Sequence, residues 1–349
     1  MWVLSSGWTG RVGGMKRPNN KVQGGGTVAI FFTGGTIAMK LGRGSKGVVP
    51  EVQFQSLVDQ LMPFQRDVHF KAIHWADLPS PHMTPERMFQ LAIDVEKVLQ
   101  EPHIDGAVVV HGTDVMEETA FMMDLVIDSP KPVVLTGAMR YHNEPGYDGL
   151  RNLLYSVRAC QAPESLHMGA MILMTDRLYA AREVTKVHSI NVDAFDAPGL
   201  GPLGFVEGER FRFVRRRTDR THFRVERIEP NVDLVKLCTG MDDRFIRCSL
   251  EHGVAGLVIE ALGSGNVPPG VVQAIEETVE QGIPVVMTTR CIRGGAWPIY
   301  GYPGGGRSLH KKGVIMAGRL SGQKARIQLM VVLAKTRDMQ QIRELFGGI

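Results

Sequence analysis

The stretch VAIFFTGGTIAMK, residues 28–40, carries two signals in thirteen residues. A short, β-rich apolar run ends in Thr33-Gly34-Gly35-Thr36, and the chain then turns apolar again. A continuous run of this kind reads as a strand buried on both faces. Glycines directly after a strand bring backbone close to a phosphate, a neighbouring element or a substrate carbonyl. Similar runs return at VHFKAI, GAVVV, PVVLTG and AMILMTD, between residues 68 and 176. Between them, TPERMFQLAIDVEKVLQ, residues 84–100, repeats apolar residues at helical spacing and opens with a capping threonine and a first-turn proline. VMEETAFMMDLVIDS and DGLRNLLYSVRACQA read as two more helices. This alternation predicts an α/β fold with a parallel sheet covered on both faces.

A second alternating set, DLVKLCT, AGLVIEAL, PVVMTT and GVIMAG with the helices PPGVVQAIEETVEQG and SGQKARIQLMVVLAKT, follows an arginine-rich interruption. We therefore expect a disordered leader over 1–25, with Met15 a candidate natural start, and a catalytic domain over 26–208. A linker or β-ribbon follows over 209–232, then a smaller domain over 233–349. A length of 349 residues suits two domains. The 44% apolar and 22% charged shares describe an ordinary globular chain. No run is long enough to span a bilayer, and the leader lacks the apolar core of a secretory signal, so a cytoplasmic protein is expected. The four cysteines form no CxxC pair and are read as buried free thiols. The net charge is only +4. The basic run ERFRFVRRRTDRTHFRVER, residues 209–227, is read as a ribbon with one solvated face rather than as a nucleic-acid surface.

Ligands of open parallel sheets gather beyond the carboxyl ends of the strands. This sequence puts Thr33-Gly34-Gly35-Thr36, then HGTDVMEETA (residues 111–120), Ala138-Met139-Arg140, and REVTK ending at Lys186 at such ends. Hydroxyls, a carboxylate and an amine would thus meet at one edge. A threonine hydroxyl becomes a nucleophile only when a base removes its proton. Lys186 can be that base, with Asp114 orienting it and Thr113 passing the proton. The glycines would let backbone N–H groups reach the developing oxyanion. A nucleotide site is disfavoured, because neither GxxxxGK[ST] nor GxGxxG occurs in a supporting context here.

TGGTIAMK and HGTDVMEETA resemble the two signature motifs of the bacterial-type L-asparaginase family, which includes the glutaminase-asparaginases. The resemblance continues through VVLTGAMR, DGLRNL, REVTK, AFDAPGLGPLGF, EALGSGN and GQKARIQLMVVLAKT. It implies a two-domain asparaginase-like fold, a larger N-terminal and a smaller C-terminal α/β domain, assembled as a homotetramer built as a dimer of dimers. It also implies conversion of L-asparagine to aspartate and ammonia without metal or cofactor. Thr36 would be the acylated nucleophile, and Thr113, Asp114 and Lys186 its activating group. Gly35, Ser80, Gly112 and Asp114 would bind substrate, Ser80 at the α-carboxylate and Asp114 also at the α-ammonium. Asn266 would reach the neighbouring subunit's site.

Two departures bear on substrate choice. The lid segment LGRGSKGVVP, residues 41–50, has no tyrosine, for which Tyr300 and Tyr302 are candidate replacements. Pro81 stands in the substrate-binding set where a polar side chain is common. A related amidase acting on glutamine or another small amide, or a weakly catalytic amino-acid-binding protein, are the alternatives. His111 is read as structural. Glu117 and Glu118 are read as first-turn acids that complement the helix dipole.

Overall fold

Alternate residues of the strand Thr27–Phe32 enter two different cores, Ala29 and Phe31 on one side and Val28, Ile30 and Phe32 on the other. Both faces of the strand are covered, which is why no polar residue interrupts the run. The computed structural model describes residues 26–41, 48–50, 54–217 and 220–346. The expected leader and most of the lid segment fall outside the described residues.

The large sheet runs, from one edge, through His69–His74, Thr27–Phe32, Ile104–Val110, Val133–Thr136 and Ala170–Met174, all parallel. It then continues antiparallel through Arg177–Ala180, Gly204–Glu207 and Arg210–Phe213. The expected all-parallel sheet is therefore mixed. The reversal comes at Thr175-Asp176, where both residues have positive φ, 48° and 63°. Two left-handed residues between paired strands make a tight hairpin whose twist suits the sheet. With no glycine in that turn, AMILMTD reads as a strand with no hairpin after it.

The helix Pro85–Leu99 begins as expected, the Thr84 hydroxyl accepting a hydrogen bond from the Arg87 N–H at 3.4 Å. The smaller sheet pairs Val232–Lys236, Gly256–Ala261, Val285–Thr289 and Ile315–Met316, all parallel. The helix Gly322–Lys335 packs against this sheet and against the helix Met116–Val126 of the large domain. Being covered on all sides, it buries even Lys324 and Gln328.

Over Arg210–Phe213 the arginine-rich segment is the expected ribbon with one solvated face, paired antiparallel with Gly204–Glu207 and exposing Arg210 and Arg212, and it departs from that reading only beyond residue 213. Arg210–Phe213 completes the large sheet, so that sheet extends past the boundary expected at residue 208. Beyond it, Arg215 pairs with Glu183, and Arg217 Nη1 lies 2.7 and 2.6 Å from the two oxygens of the fully buried Asp124. Carboxylates of the large domain take up these guanidinium groups. Their partners lie far away in sequence, so charge spacing alone could not reveal them. The cysteine reading also needs correction: Cys160 is buried, but Cys238, Cys248 and Cys291 are exposed thiols.

Candidate active site

Gly34 and Gly35 have φ of 106° and 91°, conformations open mainly to glycine. A Cβ on Gly34 would lie 2.6 Å from the Leu78 N and O, and one on Gly35 would lie 2.6 Å from the Cα and N of Gly112. The two motif loops therefore touch backbone to backbone. A Cβ on Gly112 would in turn meet the Ser80 Cβ at 2.6 Å. Of the close approaches expected of such glycines, the structure shows the one to a neighbouring element.

The flanking threonines have separate tasks. Thr33 ends the strand by sending both its N–H and its hydroxyl to the Val110 carbonyl, at 3.0 and 2.9 Å, which ties the two strand ends together. Thr36 opens the one-turn helix Thr36–Ala38 and is half-buried. Its place is set from both sides, by the Gly35–Gly112 contact before it and by Ile37 after it. Ile37 is fully buried, and its carbonyl accepts the Tyr147 hydroxyl at 2.9 Å.

Lys186 Nζ lies 2.9 Å from Thr113 Oγ1 and 2.8 Å from Asp114 Oδ1. Three of the four catalytic candidates are thus joined directly, across 73 residues of sequence. Thr113 is buried, Lys186 is 13% exposed, and Asp114 is 58% exposed. The amine reaches its partners from inside the protein, while the carboxylate faces solvent.

Ser80 is buried; its hydroxyl donates to the Gly112 carbonyl at 2.8 Å and accepts from the Val115 N–H at 3.0 Å. It thereby fastens its own turn to the Thr113-Asp114 loop. Pro81 and His82 follow it on the short helix Ser80–His82 and are exposed. His111 donates from Nδ1 to the Gly112 carbonyl at 2.6 Å, so Nε2 accepts the Thr119 hydroxyl at 3.0 Å. Burial pulls its pKa down to about 4, which keeps this imidazole neutral and structural.

Asn266 lies in the smaller domain, on the turn after Gly256–Ala261, with its side-chain oxygen accepting the Gly306 N–H at 3.2 Å. It is not part of the Thr113–Lys186 cluster. Tyr300 and Tyr302 are exposed in the smaller domain, with ring centroids 5.8 Å apart.

Sequence reasoning missed Tyr147, for which no motif gave a signal. It also missed the inward turn of Glu117, which is buried, with Oε1 accepting the Thr185 hydroxyl at 3.0 Å and the Lys186 N–H at 3.2 Å. A lysine at the start of the apolar helix Gly322–Lys335 was a visible signal for its partner, Lys324.

Two family descriptions match the chain in order, "Asparaginase, N-terminal" over residues 27–219 and "Glutaminase/Asparaginase C-terminal domain" over residues 231–346. The chain belongs to the bacterial-type asparaginase family. It is 34% identical over 311 residues to an L-asparaginase of Bacillus licheniformis, covering 89% of this chain and 96% of that protein. It is 36% identical over 323 residues to a probable L-asparaginase of Deinococcus radiodurans, covering 91% and 96%. The crystal structure of a probable cytoplasmic L-asparaginase from Campylobacter jejuni superposes with a TM-score of 0.83 at 31% identity, covering 92% of this chain and 99% of that one.

Proposed function

We propose that the chain hydrolyses the side-chain amide of L-asparagine to L-aspartate and ammonia through an acyl-enzyme on Thr36. The observation that carries this reading is the Lys186 amine held between Thr113 and Asp114, at 2.9 and 2.8 Å. The Thr36 oxygen attacks the amide carbon while its proton passes through the Thr113 hydroxyl to Lys186. The C–N bond then breaks, and the proton leaves with nitrogen as ammonia. Water attacks the threonyl ester, the ester C–O bond breaks, and Thr36 regains its proton as aspartate departs. Asp114, largely exposed beside the amine, is suited to receive the α-ammonium of the substrate. In binding an α-carboxylate, Ser80 would exchange its bond to the Gly112 carbonyl for one to the ligand.

One observation favours a second reading, a related amidase preferring glutamine or another small amide. Pro81, exposed beside Ser80, offers a ligand neither a side-chain amide nor an N–H. Assembly as a dimer of dimers is part of the proposal, with Asn266 acting across the subunit boundary, since it stands apart from the cluster within its own chain. Three exposed free thiols are compatible with the reducing cytoplasm.

The test is release of ammonia and aspartate from asparagine, over a wide substrate range, by the parent and by Thr36→Ala and Lys186→Met. Activity in the parent that vanishes in both variants supports the threonine mechanism. A parent inert on asparagine but active on glutamine moves the assignment to the second reading.

A further inference from the structure

Lys186 rests on slender local structure. Its strand is two residues long, Thr185–Lys186, and among the described residues it pairs only with Phe195–Asp196. A base that must sit within hydrogen-bond distance of its partner needs firmer support. That support comes from two buried charged side chains that the proposed reaction does not use.

Glu117 Oε1 accepts the Thr185 hydroxyl at 3.0 Å and the Lys186 N–H at 3.2 Å. Its other oxygen, Oε2, makes no hydrogen bond and faces Lys324 Nζ at 3.7 Å. Lys324, from the smaller domain, donates to the carbonyl of Val184, the residue just before Thr185. The Glu117 and Lys324 side chains are only 7% and 2% exposed. Three consecutive residues, Val184, Thr185 and Lys186, are therefore held by one ion pair. One of its members comes from the helix Met116–Val126, which directly follows the Thr113-Asp114 loop, the other from the second domain.

We propose that Glu117 and Lys324 act as positioning residues, clamping the backbone of Val184-Thr185-Lys186 so that the Lys186 amine stands against Thr113. The inference deepens the reading above and rests on Lys186 being the base. It makes the helix Gly322–Lys335 part of the catalytic apparatus and gives the second domain a role in the chemistry. A buried ion pair that served domain packing alone would be expected to face apolar side chains, or carbonyls unrelated to the site. Here, among the described residues, every directed bond of the pair ends on the segment bearing Lys186.

The experiment is steady-state kinetics on Glu117→Leu, Glu117→Gln, Lys324→Met and Thr185→Val, with the folded fraction of each measured by circular dichroism. Glu117→Leu and Lys324→Met are expected to lower kcat per folded molecule by about 10- to 100-fold, the scale on which a misplacement of roughly 1 Å slows a reaction. KM should change by less than about threefold, because neither group meets substrate. Glu117→Gln keeps an acceptor oxygen and should retain most of kcat. If Glu117→Leu does not fold, Thr185→Val, which removes one of the two donors to Glu117, should still lower kcat severalfold at unchanged KM. A loss accounted for by the unfolded fraction, a change confined to KM, or full activity in Lys324→Met would overturn the clamp. So would Glu117→Gln falling as low as Glu117→Leu. Lys186→Met separates the two readings: if it is active, the base assignment fails and the clamp with it. If it is inert while Glu117→Leu and Lys324→Met match the parent, the clamp alone fails.

Discussion

Gly35 and Gly112 meet so closely that a single methyl group on Gly35 would stand 2.6 Å from both the Cα and the N of its neighbour. That contact places the loop bearing Thr36 on the loop bearing Thr113 and Asp114, two segments nearly eighty residues apart. Gly35→Ala must open the contact and also hold an alanine at a φ of 91°. We expect a loss of roughly 1–3 kcal/mol in stability, the cost of one strained backbone position. The fall in kcat should be on the order of 100-fold. Denaturant unfolding and ammonia release measured on the same preparation check both.

Thr113→Val keeps the shape of the side chain and removes the oxygen that meets Lys186 at 2.9 Å. Because proton relay is its proposed task, kcat should fall by about 100- to 10,000-fold. Stability should change by no more than about 1.5 kcal/mol, the usual net value of one hydrogen bond. A variant whose KM rises while kcat stays at the parent level would place Thr113 in binding only.

Half-buried Glu118 and buried His111 give opposed pH dependences. Burial, with Glu117 nearby, raises Glu118 from 4.5 to about 7, so between those values the folded chain keeps a proton that the unfolded chain has lost. Stability therefore falls as pH rises through that window. Burial lowers His111 from 6.5 to about 4, so the unfolded chain takes up a proton that the folded chain refuses. Stability falls as pH drops from 6.5 towards 4. The two slopes offset each other between about 4.5 and 6.5. Glu118→Gln should gain on the parent by on the order of 2 kcal/mol between pH 5 and pH 8. Urea denaturation at both pH values gives the difference directly.

Asp124 and Arg217 join the arginine-rich segment to the large domain through side chains 0% and 2% exposed. Asp124 also accepts the Ala170 N–H at 3.2 Å. Asp124→Ala should cost about 3–5 kcal/mol, the scale for removing one member of a buried pair. The conservative Asp124→Asn keeps an acceptor for Ala170 and should lose less. Chemical denaturation distinguishes the two; equal losses would assign the whole effect to the charge.

Much of the architecture was legible because burial on both sheet faces writes itself as unbroken apolar runs. Thr27–Phe32, Ile104–Val110 and Gly256–Ala261 all match runs visible in the sequence. The helix Pro85–Leu99 announced its start through Thr84 and Pro85. The antiparallel edge was not legible, because Thr175 and Asp176 make a left-handed turn without the usual glycine. At the site, the motifs pointed to Thr113, Asp114 and Lys186, and the three are hydrogen-bonded. That the glycines mark a close approach was legible; which loops lie opposite, those of Gly112 and Leu78, was not.

By itself the sequence determined the two alternating α/β sets, the strand-end placement of Thr36, Thr113 and Asp114, though not of Lys186, which lies on a separate two-stranded sheet, and the motif resemblance that the family matches bear out. These follow from local patterning, which a chain carries wherever it goes. The tertiary structure alone decided the contacts that span the chain: Gly35 on Gly112, Arg217 on Asp124, and Lys324 on a carbonyl 140 residues earlier. The physical reason is that such partners are chosen by strand order and by the packing of one helix between two domains. Spacing along the chain records neither.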